Sequence, residues 1–177
     1  MKKVLVFAGS TSRNSINKKF ATLAATKLKK TPHEIIDLND YKLPLFSVDI
    51  ENEEGFPQEA KAFKELIDGS EGIILSLAEH NGSYSAAFKN LMDWLSRIEA
   101  NFWVNKPMLL LSTSPGQLGA KFVMEAAMAR FPRHGSNIIA NFSLPSFDTN
   151  FSEDKLLDEV LNKEFLEKVA QFEGALK

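Results

Sequence analysis

The chain has 177 residues, of which 44% are hydrophobic and 25% charged, a composition typical of globular proteins that bury a core. Its formal net charge is −2, and its lysine and arginine residues are scattered, which argues against binding to nucleic acid or to an acidic membrane surface. It contains no cysteine, so disulfides, thiolate nucleophiles and cysteine-ligated metals are excluded.

The N-terminus carries two lysines followed by an apolar run over residues 4–8. This run is too short for the apolar region of a signal peptide, and polar residues follow it at once. No apolar run in the sequence approaches the length of a membrane span. We therefore expect a cytoplasmic protein.

Short, continuously apolar runs alternate along the chain with segments of helical spacing. The pattern predicts strands over residues 4–8, 34–38, 72–77, 108–111 and 136–140. It predicts helices over residues 15–30, 58–68, 85–97, 119–131 and 154–176. Such alternation is typical of an α/β fold, a five-stranded parallel sheet with helices on both faces. No linker is visible, so residues 1–177 are predicted to form a single domain.

The segment over residues 39–57 is predicted to be a long, polar, proline-containing loop, a kind of loop that is usually functional. In open α/β sheets, ligands bind at the carboxyl ends of the strands. The loops after the first, third and fourth predicted strands, residues 9–17, 78–84 and 112–119, are therefore the candidates for a binding site.

The loop from Gly9 to Asn17 leaves a strand and opens a helix. A helix N-terminus offers unpaired N–H groups and a positive dipole end, and the hydroxyls of this loop add donors, so it is suited to an anion. Arg13 adds charge. The loop has neither the G-x-G-x-x-G pattern of dinucleotide sites nor the Gly-Lys-Ser/Thr of a P-loop, which favours a terminal monophosphate. The alternative is an N-terminal cap without a ligand.

The other two loops are rich in polar and small residues, which offer backbone groups to the edge of a flat heteroaromatic ring. The alternative for His80 is an exposed loop residue, and that for residues 112–119 is an ordinary turn. Trp94, Phe102 and Trp103 are either core residues or part of an apolar interface.

Taken together, these loops resemble the NAD(P)H-dependent FMN reductase family, the flavodoxin-like group that includes bacterial quinone, azo-dye and chromate reductases. The family pattern after strand one is Gly-Ser-x-Arg-x-x-Ser-x-Asn, and the chain matches it at Gly9, Ser10, Ser15 and Asn17. Ser12 stands at the family's arginine position, with Arg13 one place later.

The family pattern after strand three runs Pro-Glu-Tyr-Asn-x-Ser-x-Pro-Gly-x-Leu-Lys-Asn-x-x-Asp-Trp. The chain matches it at Glu79, Asn81, Ser83, Lys89, Asn90, Asp93 and Trp94, and departs from it at Ala78, His80, Ser85 and Ala86. Residues 43–46 and 112–119 resemble two further family segments, Leu-Pro-Leu-(Phe/Tyr) and Ser-x-Ser-x-Gly-x-x-Gly.

The resemblance implies a flavodoxin-like three-layer fold that holds FMN. The expected cofactor-binding residues are Ser10, Ser12, Arg13, Ser15, Ile16, Asn17, Glu79, His80, Asn81, Gly82, Ser83, Ser114 and Gly116. It also implies NAD(P)H as co-substrate, a small-molecule electron acceptor such as a flavin or quinone, a ping-pong scheme, and a homodimer or homotetramer. No metal and no catalytic side chain are expected, because the flavin itself carries the redox chemistry.

Two other functions stay open at this point. A flavodoxin-like electron carrier would bind FMN without turnover, although the near-neutral net charge argues against the acidic docking surface of such carriers. A flavin-free binding protein of the same fold would take up no FMN.

Overall fold

The computed structural model describes residues 3–176. In chain order, its strands are β1 (Val4–Gly9), β2 (His33–Ile35), β3 (Gly72–Leu77), β4 (Glu79–His80), β5 (Ser83–Tyr84), β6 (Pro107–Thr113) and β7 (Asn137–Leu144). Its α-helices are α1 (Ile16–Thr26), α2 (Val48–Glu54), α3 (Gln58–Gly69), α4 (Ala86–Ile98), α5 (Lys121–Arg130), α6 (Phe147–Asn150) and α7 (Glu159–Gly174).

The central sheet has five parallel strands in the order β2-β1-β3-β6-β7, and β4 and β5 form a separate antiparallel hairpin. Every residue of β1 and β3 is buried, because helices cover both faces of the sheet. The predicted parallel α/β architecture is confirmed. Within residues 3–176, none of the helices is both long enough and apolar enough to cross a membrane.

Each face of the sheet has its own apolar core. On one face, Phe7, Phe63 and Phe131 pack with residues of α3, α4 and α5. On the other face, Phe20 of α1 and Phe165 of α7 pack against the sheet, and both rings contact Phe142 of β7.

Three aromatic side chains, which the sequence allowed either in the core or at an interface, are fully buried and therefore belong to the core. Trp94, Phe102 and Trp103 each have 0% relative exposure. The interface alternative is excluded for these side chains, because the protein's own helices and strands cover them.

The structure differs from the sequence-based elements where apolar periodicity is weak. The predicted loop 39–57 contains α2, which Ser47 caps and which has no buried residue, so it left no apolar pattern to detect. The predicted last helix, residues 154–176, begins later in the structure, because Asp158 caps α7, and the short α6 is an additional helix that precedes the predicted range. Strand β2 ends at Ile35, before the predicted end, and β7 extends to Leu144.

Gly119, between β6 and α5, provides a test of the backbone geometry. Its φ is +58°, and a Cβ there would lie 2.9 Å from the carbonyl carbon and oxygen of Leu144. We expect Gly119→Ala to lower the free energy of unfolding by at least about 2 kcal/mol in urea titrations, because a left-handed alanine is strained and here also meets backbone. Gly69→Ala is the matched control, since a Cβ there meets nothing within 4 Å. Equal stability of the two variants would contradict this interpretation.

Candidate functional site

The loops after β1, β3 and β6 meet at the carboxyl edge of the sheet. The strand register pairs Gly9 with Leu77, and Leu77 with Ser112, so the three strands end at the same level. All the residues predicted to bind a cofactor belong to these loops or to the first turn of α1. The structure therefore brings the predicted set to one edge of the sheet.

The loop after β1 is held by its own hydroxyls and by the cap of α1. The Ser15 hydroxyl accepts a hydrogen bond from the Lys18 N–H at 3.1 Å, and the Ser10 hydroxyl accepts one from the Ser12 N–H at 3.2 Å. No hydrogen bond among residues 3–176 uses the N–H groups of Ile16 or Asn17 as donors. Unpartnered donors at a helix N-terminus fit the oxygens of a phosphate.

The side chain of Asn17 lies beneath this loop and is committed to protein groups. It is 3% exposed, and its amide nitrogen donates to the Thr113 carbonyl oxygen at 3.2 Å. Its amide oxygen accepts from the Thr113 N–H at 3.1 Å and from the Ser76 hydroxyl at 2.7 Å. Asn17 therefore links α1 to β3 and β6. The sequence suggested that its side-chain amide contacts a phosphate, but in the structure the amide bonds to protein groups instead.

The segment after β3 forms the β4–β5 hairpin, whose turn residues Asn81 and Gly82 have φ values of +53° and +72°. Two successive positive φ values are typical of the tightest hairpin turns, for which Asn-Gly is the preferred pair. The Glu79 carboxylate accepts the Val123 N–H at 2.9 Å. Because Ala120, at the N-terminus of α5, provides no side-chain cap, Glu79 caps that helix and fixes the hairpin against it.

The tip of the hairpin is open. His80, Asn81, Gly82 and Ser83 are all exposed, so their polar groups are accessible to a ligand. Tyr84 turns inward instead and lies parallel to Phe131, with ring centroids 6.1 Å apart. Burial raises the pKa of Tyr84 from its ordinary value of 10.0 to about 12.

The loop after β6 is tied to the chain that follows β7. The Gly116 carbonyl oxygen accepts the Ser146 N–H at 2.9 Å, and the Ser114 carbonyl oxygen accepts the Phe147 N–H at 3.1 Å. The Ser112 hydroxyl donates to the Gly119 carbonyl oxygen at 2.9 Å. These bonds fix the loop while Gly116 remains exposed beside it.

A cavity of about 210 Å³ lies between α4 and the segment after β2. Its lining includes Thr11, Tyr41 and Asn90. Tyr41 is not among the predicted site residues, because a long predicted loop over residues 39–57 gives no position to its individual side chains. Burial raises the pKa of Tyr41 as well.

The motif residues on α4 hold one wall of this cavity in place. The Asn90 amide donates to the Pro44 carbonyl oxygen at 2.9 Å and accepts the Phe46 N–H at 2.8 Å. The Trp94 indole also donates to the Pro44 carbonyl oxygen, at 2.9 Å. Asn90 and Trp94 of the Lys-Asn-x-x-Asp-Trp segment thus position residues 43–46. This structural role could not be read from the motif alone.

Comparison with known proteins agrees with this geometry. A family model described as NADPH-dependent FMN reductase matches residues 2–150. The chain belongs to the NADPH-dependent FMN reductase family. Among curated relatives of the family, a 2-hydroxy-1,4-benzoquinone reductase of Burkholderia sp is 34% identical over 119 residues, 66% of this chain and 63% of that protein. A quinone reductase of Escherichia coli (strain K12) is 31% identical over 121 residues, 66% of this chain and 62% of that protein.

The chain therefore spans less than two thirds of the length of these two relatives. A solved structure covers it almost completely. The flavoenzyme NAD(P)H:(acceptor) oxidoreductase FerB of Paracoccus denitrificans superimposes with a TM-score of 0.76 at 24% identity, over 98% of this chain and 96% of that chain. This likeness shows that the two proteins share the flavodoxin-like fold.

The Asn17 contacts lead to a stability prediction. We expect Asn17→Leu to lower the free energy of unfolding by about 2–4 kcal/mol, because it leaves buried polar groups of Ser76 and Thr113 without partners. Asn14→Leu is the control, since Asn14 is exposed in the same loop. Urea unfolding of both variants measures the difference, and an Asn17→Leu protein as stable as its control would contradict the role assigned to this amide.

Proposed function

We propose that the protein is an FMN-dependent oxidoreductase that takes hydride from NAD(P)H and reduces quinones, flavins or similar small acceptors. The observation that carries this proposal is the N-terminus of α1. This helix N-terminus combines unpartnered N–H donors with a hydroxyl-rich loop. It lies at the carboxyl edge of the sheet, together with the loops after β3 and β6, in a chain that belongs to the FMN reductase family.

The proposed cofactor contacts divide between the phosphate and the ring of FMN. Donors from the loop after β1 and from the first turn of α1 hold the phosphate, through Ser10, Ser12, Arg13, Ser15, Ile16 and Asn17. The hairpin tip and the loop after β6 hold the ring, through Glu79, His80, Asn81, Gly82, Ser83, Ser114 and Gly116. For Glu79 and Asn17, whose side chains bond within the protein, the contact is through backbone groups.

When bound, FMN supplies the redox chemistry, accepting a hydride from the nicotinamide and passing electrons to the acceptor in alternate half-reactions. The protein binds and orients the reactants. With FMN bound there, backbone N–H groups of the exposed hairpin tip would stabilise negative charge on the ring, as preorganised donors do in other active sites.

Two features support the enzyme over the electron carrier. The net charge of −2 provides little of the negative surface that a carrier uses to dock on its partners. The curated relatives quoted above are reductases of quinones, which supports the same acceptor class here.

A homodimer or homotetramer remains part of the proposal. Leu118, in the turn before α5, and Phe122, in the first turn of α5, are 58% and 51% exposed. Large exposed apolar side chains favour contact with another protein surface. A second copy of the chain is the partner proposed.

A visible spectrum of the purified protein with added FMN, followed by anaerobic titration with NADPH or NADH, tests the function. We expect a bound flavin whose absorbance near 450 nm (roughly the usual flavin maximum) bleaches on titration, and steady turnover when a quinone is added. Bleaching without quinone turnover would favour the carrier. Failure to take up FMN would favour the flavin-free protein and contradict the proposal.

A further inference from the structure

The tip of the β4–β5 hairpin carries an asparagine directly before a glycine, Asn81 and Gly82. Asn81 is the only asparagine in the sequence that a glycine follows. Both residues are exposed, and the Gly82 N–H donates none of the loop and turn hydrogen bonds found among residues 3–176. The amides of Asn17 and Asn90 are held by protein groups, whereas no such bond restrains the Asn81 amide in the described part of the chain. Side chain and backbone nitrogen of the pair are therefore both open to reaction.

The backbone at this tip leaves the turn easily. A Cβ built at Gly82 would meet nothing within 4 Å, so nothing packs against that residue. Each strand of the hairpin has two residues, and a ladder this short opens at low cost in free energy. The Asn81 φ of +53° lies in the left-handed region, so opening also releases backbone strain. The bond from the Val123 N–H to Glu79 anchors the base of the hairpin and leaves the tip free.

We propose that Asn81 is a site of covalent modification, at which the asparagine converts into aspartate and isoaspartate by intramolecular deamidation. When the turn opens, the Gly82 nitrogen attacks Cγ of Asn81, and the new C–N bond closes a succinimide ring. The side-chain nitrogen leaves as ammonia and takes up the proton of the Gly82 N–H. Water then opens the ring at one of its carbonyl carbons, so solvent is the only co-reactant. Glycine favours the ring closure, because it has no Cβ to obstruct the attack and adopts the required backbone angles without strain.

The modification changes charge and chain length at the position proposed to hold the flavin ring, and this consequence rests on the proposed function. The neutral amide, which donates and accepts hydrogen bonds, becomes a carboxylate that only accepts. In isoaspartate the main chain also runs through the former side chain, which lengthens it and disrupts the two-residue turn. Either product adds a negative charge beside the flavin and weakens FMN binding. Bound FMN, in turn, holds the hairpin tip closed and protects Asn81 from the reaction.

Peptide mapping by mass spectrometry, after incubation of the FMN-free protein at mildly alkaline pH, tests the site without turnover. We expect the Asn81 peptide to gain the mass of an amide-to-acid conversion at least about ten times faster than the peptides of Asn14, Asn52 and Asn101, since each of these exposed asparagines precedes a residue with a side chain. Both isoaspartate and aspartate should appear. Gly82→Ala should slow the reaction at Asn81 by about the same factor. A digest at time zero corrects for deamidation during sample handling.

Incubation with saturating FMN measures the protection. We expect FMN to slow the Asn81 reaction at least about fivefold, with the rates at Asn52 and Asn101 unchanged. Asn81→Asp, which introduces the charge of the product directly, should bind FMN about ten times more weakly than the wild type. Asn101→Asp is the matched control, because it adds the same charge at an exposed position outside the three candidate loops, and its FMN affinity should not change.

The outcomes separate the modification from the proposed function. An Asn81 peptide that deamidates no faster than the other three would overturn the proposal. Rapid deamidation that FMN does not slow, in a protein that binds FMN, would overturn the protection and the contact between the hairpin tip and the cofactor. A protein that deamidates rapidly at Asn81 but takes up no FMN would support the modification site and overturn the proposed function.

Discussion

The candidate site depends on one buried amide. Asn17 lies where the loop after β1, the start of α1 and the ends of β3 and β6 converge, and its side chain bonds to Ser76 and to both backbone groups of Thr113. A buried polar group is costly unless its bonds are made, so this network specifies one arrangement of the carboxyl edge. The N–H donors at the head of α1 are therefore held in place before any ligand arrives.

The other loops follow the same design, in which a side chain from one element satisfies the backbone of another. Glu79 caps α5 from the hairpin, and Asn90 and Trp94 fix residues 43–46 from α4. In each case the side chain of a motif residue bonds to the protein's own backbone and holds a loop or helix in place, so it is not itself available to a ligand. Preorganisation of this kind lowers the entropy lost on binding, and on our proposal it lets a site with few charged side chains bind a charged cofactor.

The sequence predicted the parts of the structure that local patterns specify. Continuous apolar runs identified the buried strands, and Gly9 with the hydroxyls that follow it identified the loop after β1 for which we propose phosphate binding. Such local patterns do not predict which groups bond to each other across the fold, because the partners are distant in sequence. Asn17 and Thr113 are 96 residues apart, and Glu79 and Val123 are 44 apart. The short α2 has no buried residue, so the sequence shows no apolar periodicity there.

The most direct test of this account compares the affinities of the apoprotein for FMN and for riboflavin, which differ only in the phosphate, by quenching of flavin fluorescence. If the donors of the loop after β1 and of α1 bind a phosphate, we expect FMN to bind at least about 100 times more tightly, since two or more charge-assisted hydrogen bonds supply that difference. Equal affinities for the two flavins would contradict the account, because the phosphate would then make no contact with the N-terminus of α1.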